Sequence, residues 1–147
     1  MPNIAKAFVQ AQQHHQTGRF FKAEQLYRQV IQADPIHADA WCLLGSACQA
    51  QGKLAEAEAH FRKAIQLDPS HPSASSLLGS LQTQQGRLSE AVVSFQSALR
   101  IDPDDAEAHN NLGSVLALLG QTAAAFDSYQ QCVCKKTRWG YKEYSCC

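Results

Sequence analysis

The sequence lacks long apolar runs and carries no net charge. The longest aliphatic run, Val115 to Leu119, is far too short to cross a bilayer. Residues 1–15 contain no apolar stretch of signal-peptide length. The 13 basic residues balance 13 acidic ones, so no overall positive field attracts nucleic acid or an anionic membrane. These absences predict a cytoplasmic, reducing location and exclude nucleic acid and membranes as expected partners.

Sequence motifs of enzymatic chemistry are also missing. The chain contains no Gly-rich phosphate loop, no G-x-S-x-G elbow and no paired-carboxylate constellation. Its 147 residues suffice for one domain with a modest core. A content of 45% hydrophobic and 18% charged residues is typical of a soluble globular or repeat protein. We therefore expect neither an enzyme acting alone nor a cofactor.

What the sequence does contain is a repeat of 34 residues. Asp-Pro recurs at this interval, and the period is typical of stacked helical repeats. Aligning the copies gives four further columns: Leu-Gly at Leu44-Gly45, Leu78-Gly79 and Leu112-Gly113; glycine at Gly18, Gly52, Gly86 and Gly120; alanine at Ala23, Ala57, Ala91 and Ala125; and an aromatic residue at Tyr27, Phe61, Phe95 and Tyr129.

Each column has a role in a pair of helices. Apolar residues at three- and four-residue steps predict two amphipathic helices in each copy. The glycine between the helices permits a sharp turn with positive φ. The alanines opposite Leu-Gly allow a close approach of the two helices, and Asp-Pro ends the second helix because proline cannot continue it.

One copy carries a crowded set of carboxylates, Asp102, Asp104, Asp105 and Glu107. The stretch has some likeness to a calcium loop, but the glycine that such a loop needs is missing. In the earlier copies the residues after Asp-Pro are Ile36-His37 and Ser70-His71, so the turn does not require carboxylates at those places. We therefore expect Asp104, Asp105 and Glu107 to favour the start of the next helix, where negative charge is stabilising.

Residues 41–69, WCLLGSACQAQGKLAEAEAHFRKAIQLDP, resemble the tetratricopeptide repeat (TPR), whose signature is W-x2-L-G-x2-Y, A-x3-F and P. Four copies fit, at about 4–37, 38–71, 72–105 and 106–137, followed by a basic tail rich in Cys and aromatic residues at 138–147. The first copy departs at Gln10-Ala11, and the fourth has Thr137 in place of the proline. The resemblance implies an all-α, right-handed superhelical solenoid of four helix-turn-helix units with eight helices.

The resemblance also implies a concave groove lined by the first helix of each unit. The groove-facing side chains are small, polar and mostly uncharged, so hydrogen bonds and shape would hold a ligand there. The alternative is that they are simply solvated helix faces. The candidates for partner binding are Phe8, Gln12, His15, Asp39, Cys42, Ser46, Gln49, Ser73, Ser76, Ser80, Thr83, Glu107, Asn110, Asn111 and Ser114.

Two sub-types of the family can be compared with these positions. Chaperone-binding members grip an acidic C-terminal tail with a clamp of Lys, Asn and Arg. Here the clamp is absent, since the matching places hold Phe8, Gln12, Leu43, Ser73 and Leu77. The repeats of O-linked N-acetylglucosamine transferases carry a ladder of asparagines just before Leu-Gly. Only Asn111 fits that ladder, because Leu77, Leu43 and Val9 occupy the other copies.

Histidine and cysteine side chains give no metal site at ligand spacing. His14-His15 has no acidic or cysteine partner nearby in sequence. Cys132-x-Cys134 and Cys146-Cys147 supply four thiols, but the spacing is wrong for a zinc knuckle. Cys132 also falls in a column of small residues, which favours a buried packing role. The sequence therefore predicts no bound metal.

The end of the repeat array lacks a recognisable capping helix. Stacked repeats usually finish with one, whereas the fourth copy runs directly into KKTRWGYKEYSCC. The last helix would leave Phe126, Cys132 and Val133 partly uncovered unless the tail aromatics Trp139, Tyr141 and Tyr144 fold back over them. Self-association through this end, or truncation from a longer protein, would each account for the pattern.

These observations predict a non-enzymatic scaffold that binds a peptide or protein segment in a concave groove. The alternative is a substrate-recognition module of, or truncated from, a larger glycosyltransferase- or sulfotransferase-like protein. A third interpretation is a purely structural unit of self-assembly. The sequence does not identify the partner.

Overall fold

A computed structural model describes residues 3–137, with side chains described except at 122 and 133–137. This part of the chain is built from helices in the order α1 (Ile4–Gln16), α2 (Phe20–Ala33), α3 (Ala38–Ala50), α4 (Leu54–Leu67), α5 (Ala74–Gln84), α6 (Leu88–Ile101), α7 (Ala106–Leu118) and α8 (Thr122–Thr137). The all-α pattern of helix pairs is confirmed. The tail at 138–147 lies outside the described residues.

The chain divides into two compact units, residues 1–77 and residues 78–147. In the first unit α1 packs on α2, α2 on α3 and α3 on α4. In the second unit α6 packs on α7 and α7 on α8. Over the residues described, no helix has both the length and the apolar character that a membrane crossing requires.

The turn inside each helix pair depends on its glycine. Gly52 has a φ of 79°, in the left-handed region that a side chain resists. Its N–H donates to the Gln49 carbonyl at 3.0 Å, and the Lys53 N–H donates to the Cys48 carbonyl at 2.9 Å. These two bonds form a Schellman motif, which satisfies the last carbonyls of α3. The predicted role of this glycine column is confirmed.

A side chain caps the first helix of each pair, and these caps recur at the repeat period. The acceptors are Asn3 Oδ1 for Lys6 N at 3.2 Å, His37 Nδ1 for Ala40 N at 3.2 Å, His71 Nδ1 for Ala74 N at 3.2 Å, and Asp105 Oδ1 for Ala108 N at 3.0 Å. Each bond satisfies a backbone N–H that has no acceptor within its helix.

The acidic stretch of the fourth repeat serves these local backbone contacts. Asp105 caps α7, which confirms that it favours the start of that helix. Asp102 Oδ1 accepts a hydrogen bond from the Asp104 N–H at 3.0 Å. Asp68 forms the same turn with the Ser70 N–H in the second repeat, also at 3.0 Å. The carboxylates therefore order the chain between successive repeats.

The two helices of a pair make their closest contact at the Leu-Gly column. A β-carbon on Gly45 would lie 2.8 Å from the Phe61 ring and 3.2 Å from the Ala57 carbonyl oxygen. At the other two sites a β-carbon would lie equally close to the ring: 2.9 Å from the Phe95 ring for one on Gly79, and 2.8 Å from the Tyr129 ring for one on Gly113. Ala57 and Phe61 are fully buried. The predicted close approach is confirmed, and the glycine makes room for the aromatic ring.

We expect Gly45→Ala to destabilise the protein by about 1–3 kcal/mol, because the new methyl group displaces the Phe61 ring. Phe61→Leu removes the edge of that ring, so the double variant should lose less stability than the sum of the single losses. Urea unfolding followed by circular dichroism measures both effects.

Gly52→Ala is the control for this prediction. Its cost arises from backbone conformation, since a β-carbon there meets nothing within 4 Å. The stability losses of Gly52→Ala and Phe61→Leu should therefore add fully in the double variant. If the losses of Gly45→Ala and Phe61→Leu also add fully, the contact between Gly45 and the Phe61 ring is unimportant for stability.

Candidate functional site

In the first unit, the structure brings candidates on α1 and α3 side by side. His15 Nε2 lies 3.4 Å from Ser46 Oγ, and the Phe8 ring centroid lies 4.7 Å from that of His37. Burial lowers the pKa of His15. Gln12 and Gln49 are half-buried on the same two helices. The first helices of this unit thus present polar and aromatic groups together.

Two candidates of α3 already have structural contacts. Asp39 Oδ1 lies 2.7 Å from Nε2 of the buried His71. Because His71 Nδ1 accepts the Ala74 N–H, Nε2 carries the ring proton and donates it to Asp39. Cys42 is only 2% exposed, and burial, with Asp39 nearby, raises the pKa of its thiol to about 12. Asp39 orients a helix cap, and Cys42 is a core residue.

The second unit carries candidates of two kinds. Thr83 Oγ1 donates to the Gly79 carbonyl at 2.8 Å, and Ser114 Oγ donates to the Asn110 carbonyl at 3.1 Å. Ser114 also accepts a bond from Tyr129 Oη at 3.2 Å. By contrast, the side-chain amides of Asn110 and Asn111 make no hydrogen bond within the described part of the chain. The remaining candidates come from both units: Ser73 and Ser76 belong to the first, and Ser80 and Glu107 to the second. Ser73 and Glu107 are exposed, and Ser76 and Ser80 are half-buried.

The sequence candidates contain no lysine or arginine, and Asp39 and Glu107 are their only acidic members. The exposed end of Asp39 is engaged by His71. The candidate set is therefore rich in neutral donors and acceptors.

Charged groups instead gather around Glu24, which joins α2 to the turn between α3 and α4. Glu24 is 5% exposed and accepts hydrogen bonds from Lys53 at 2.8 Å, Arg28 at 2.9 Å and Gln51 at 2.7 Å. Burial alone would raise the pKa of Glu24, but these bonds outweigh it and lower the pKa to about 2. Arg28 also binds Glu56 Oε2 at 2.9 Å. The network holds neighbouring helix pairs of the first unit together.

Sequence reasoning missed a cluster beside this network, formed by Cys48, Glu56 and His60. One ligand-type atom from each lies within 4.8 Å of the other two. Cys48 belongs to α3, whereas Glu56 and His60 lie one turn apart on α4. The signal was a Glu-x3-His spacing eight residues after a cysteine, which only the packing of α3 on α4 makes meaningful.

His60 also lines a cavity of about 350 Å³ in the first unit. The other walls are formed by side chains of α2 and α3: Arg28, Ile31, Gln32, Trp41 and Leu44. The Trp41 ring centroid lies 5.5 Å from that of His60. The cavity therefore opens beside the cluster.

At the C-terminal end, α8 has both buried and exposed residues. Cys132 is 5% exposed, which agrees with its predicted packing role. Phe126 is 62% exposed, as expected. Val133 and the tail residues 138–147 fall outside what is described of side chains, so self-association through this end stays a prediction.

The turns, caps and glycine–aromatic contacts together define a tetratricopeptide-repeat protein. Residues 9–139 match the family described as the Cilia and flagella-associated protein 70 middle TPR-like domain. The chain belongs to this TPR-like family. No curated protein matches the chain at a significant level.

Solved structures share the fold. A crystal structure of MamA has a TM-score of 0.86 at 19% identity, covering 92% of this chain and 80% of that one. MamA from Desulfovibrio magneticus RS-1, residues 41 to the end, has a TM-score of 0.84 at 16% identity, covering 95% and 78%. The first TPR domain of Spaghetti (RPAP3), bound to the HSP90 peptide SRMEEVD, has a TM-score of 0.77 at 24% identity, covering 80% and 93%.

The Glu24 network predicts acid sensitivity. The folded pKa of about 2 lies below the ordinary value of 4.5. Within that range the unfolded state binds the extra proton, so stability is present above pH 4.5 and lost as the pH falls toward 2. We expect a loss on the order of 2 kcal/mol.

Urea unfolding across this pH range tests the assignment. Glu24→Gln should be less stable than the parent at neutral pH, and the difference in unfolding free energy between the two should decrease as the pH falls. Glu107→Gln removes an exposed carboxylate outside this network and should change the pH dependence of stability less than Glu24→Gln does. A constant gap between parent and Glu24→Gln would contradict the role of this carboxylate.

Proposed function

We propose that this chain is a non-enzymatic interaction module that binds a peptide segment of a partner protein along the faces of its first helices. The observation that carries the proposal is the uncharged hydrogen-bonding character of these faces. Asn110 and Asn111 supply amide groups without a side-chain partner in the described residues, and His15 and Ser46 lie together on α1 and α3. Such groups can pair with the backbone of an extended peptide.

The fold supports the same proposal. The RPAP3 domain that shares it is bound to a peptide, so this architecture can hold a peptide. The chemistry of the faces differs from that required by SRMEEVD, which has three carboxylate side chains and one arginine. Without lysine or arginine among the candidates, no cation compensates these charges. We infer that the preferred peptide is neutral, or that its only charged side chains are cations that lie near Glu107 in the complex.

We expect the peptide SRMEEVD to bind this chain with a Kd weaker than about 1 mM. Isothermal titration calorimetry should show no saturable heat, whereas the RPAP3 domain is the positive control. Tight, saturable binding that is lost at high salt would contradict the assignment of an uncharged face.

A displayed library of random peptides tests the proposal itself. Peptides selected on the parent protein are compared on the variant Ser46→Arg, Ser80→Arg, Ser114→Arg, which adds bulk and charge to the first helices α3, α5 and α7. The matched control is Gln25→Arg, Ala59→Arg, Val93→Arg. It adds the same charge at exposed positions, also 34 residues apart, on the second helices α2, α4 and α6.

Binding that survives in the control and falls at least about tenfold in the first-helix variant supports the proposed face. Both variants must match the helicity of the parent, because Ser114 contacts Tyr129. Equal losses in the two variants, or no peptide selected on the parent, would overturn the proposal.

A further inference from the structure

The residues Cys48, Glu56 and His60 offer one sulfur, one carboxylate oxygen and one imidazole nitrogen within 4.8 Å of one another. Zinc binds these three donor types, and sites with three protein ligands keep a fourth position for water. We propose that the second repeat contains a zinc-binding site made by these three residues. This inference does not depend on the peptide-binding function.

The packing of the helix pair holds the three residues in place. Glu56 and His60 are four residues apart on α4, so they share one helix face. Cys48 lies in the last turn of α3, where its carbonyl accepts the Lys53 N–H at 2.9 Å. The contact of Gly45 with Phe61 keeps α3 against α4. A zinc ion with ordinary bond lengths of about 2.0–2.3 Å requires only small side-chain movements to draw these atoms together.

Two of the three donors are buried, and one of them lacks a hydrogen-bond partner among the described residues. His60 Nε2 is buried with no hydrogen-bond partner, and Cys48 is a free thiol with no exposed surface. Buried polar side-chain atoms are usually paired, and a metal ion bound at Nε2 would pair this one.

The other repeats provide an internal comparison. The equivalent residues of the third repeat are Gln82, Glu90 and Ser94, where Ser94 Oγ donates to Gln82 Oε1 at 2.6 Å. Both of these side chains are buried, so the third repeat satisfies the position with its own hydrogen bond. The equivalent residues of the remaining repeats are His14, Lys22 and Leu26 in the first, and Leu116, Ala124 and Ser128 in the fourth. The sequence therefore supplies this donor set in the second repeat alone.

The surrounding charges are compatible with a cation. Glu24 and Glu56 are balanced by Arg28 and Lys53. Arg28 binds Oε2 of Glu56, which leaves Oε1 for a metal ion. Zinc binding deprotonates the Cys48 thiol: the S–H bond breaks, a Zn–S bond forms and the proton passes to solvent.

The fourth position can be filled by water from the adjacent cavity of about 350 Å³, since His60 forms part of its wall. A site of this composition adds a bond between α3 and α4 in the native state. It therefore stabilises the second helix pair when zinc is bound.

Cobalt(II) absorption tests the site in the chain of 147 residues. Three thiols near the C-terminus are first removed by Cys134→Ser, Cys146→Ser and Cys147→Ser, which leaves Cys42, Cys48 and Cys132. We expect one equivalent of cobalt to give a thiolate-to-cobalt charge-transfer band that zinc displaces. Cys48→Ser and His60→Gln should abolish this band, and Glu56→Gln should weaken cobalt binding by at least about tenfold. Cys42→Ser, at another buried thiol, should retain it.

A repacked variant guards against loss of binding through misfolding. Cys48→Gln with His60→Ser introduces the hydrogen-bonded pair of the third repeat, so it should keep the helicity of the parent. Zinc should raise the Tm of the parent and leave that of this variant unchanged. The proposal is overturned if the parent gives no charge-transfer band, or if the band persists in the folded double variant.

Discussion

The contact between a glycine of the first helix and an aromatic ring of the second is the constraint on which each of the last three helix pairs depends. With only hydrogen at Gly45, the backbone of α3 can approach the Phe61 ring of α4. The same relation joins Gly79 to Phe95, and Gly113 to Tyr129. Close packing makes the distance between the helices insensitive to the polar residues around them. Those residues can then vary from repeat to repeat.

The recurring columns made the fold predictable from sequence because they describe contacts inside a helix pair. Gly52, for example, is required by a local turn, and Phe61 by a neighbour sixteen residues away. The side chains that cap helices were harder to predict from the sequence. Asp105 belongs to a familiar capping type, whereas histidine caps such as His37 and His71 depend on which ring nitrogen carries the proton.

Repeat position predicts the face on which a residue lies, but it does not show which groups remain available to a partner. Asp39 and Cys42 illustrate this difference. Asp39 is engaged by His71, and Cys42 is buried, whereas Asn110 is exposed. Likewise, nothing in the spacing of Cys48, Glu56 and His60 reveals that Nε2 of the imidazole is buried without a hydrogen-bond partner in the described residues. That information depends on the packed positions of side chains from two helices.

The local nature of the glycine–aromatic contact has a consequence for the kinetics of folding. The contacting residues are separated by sixteen positions in each of the last three pairs, so closing a pair restricts only a short loop. Proteins dominated by such short-range contacts fold rapidly, and in repeat arrays folding can begin at any unit and spread to its neighbours. For this chain, the starting point is therefore set by whichever helix pair is locally most stable.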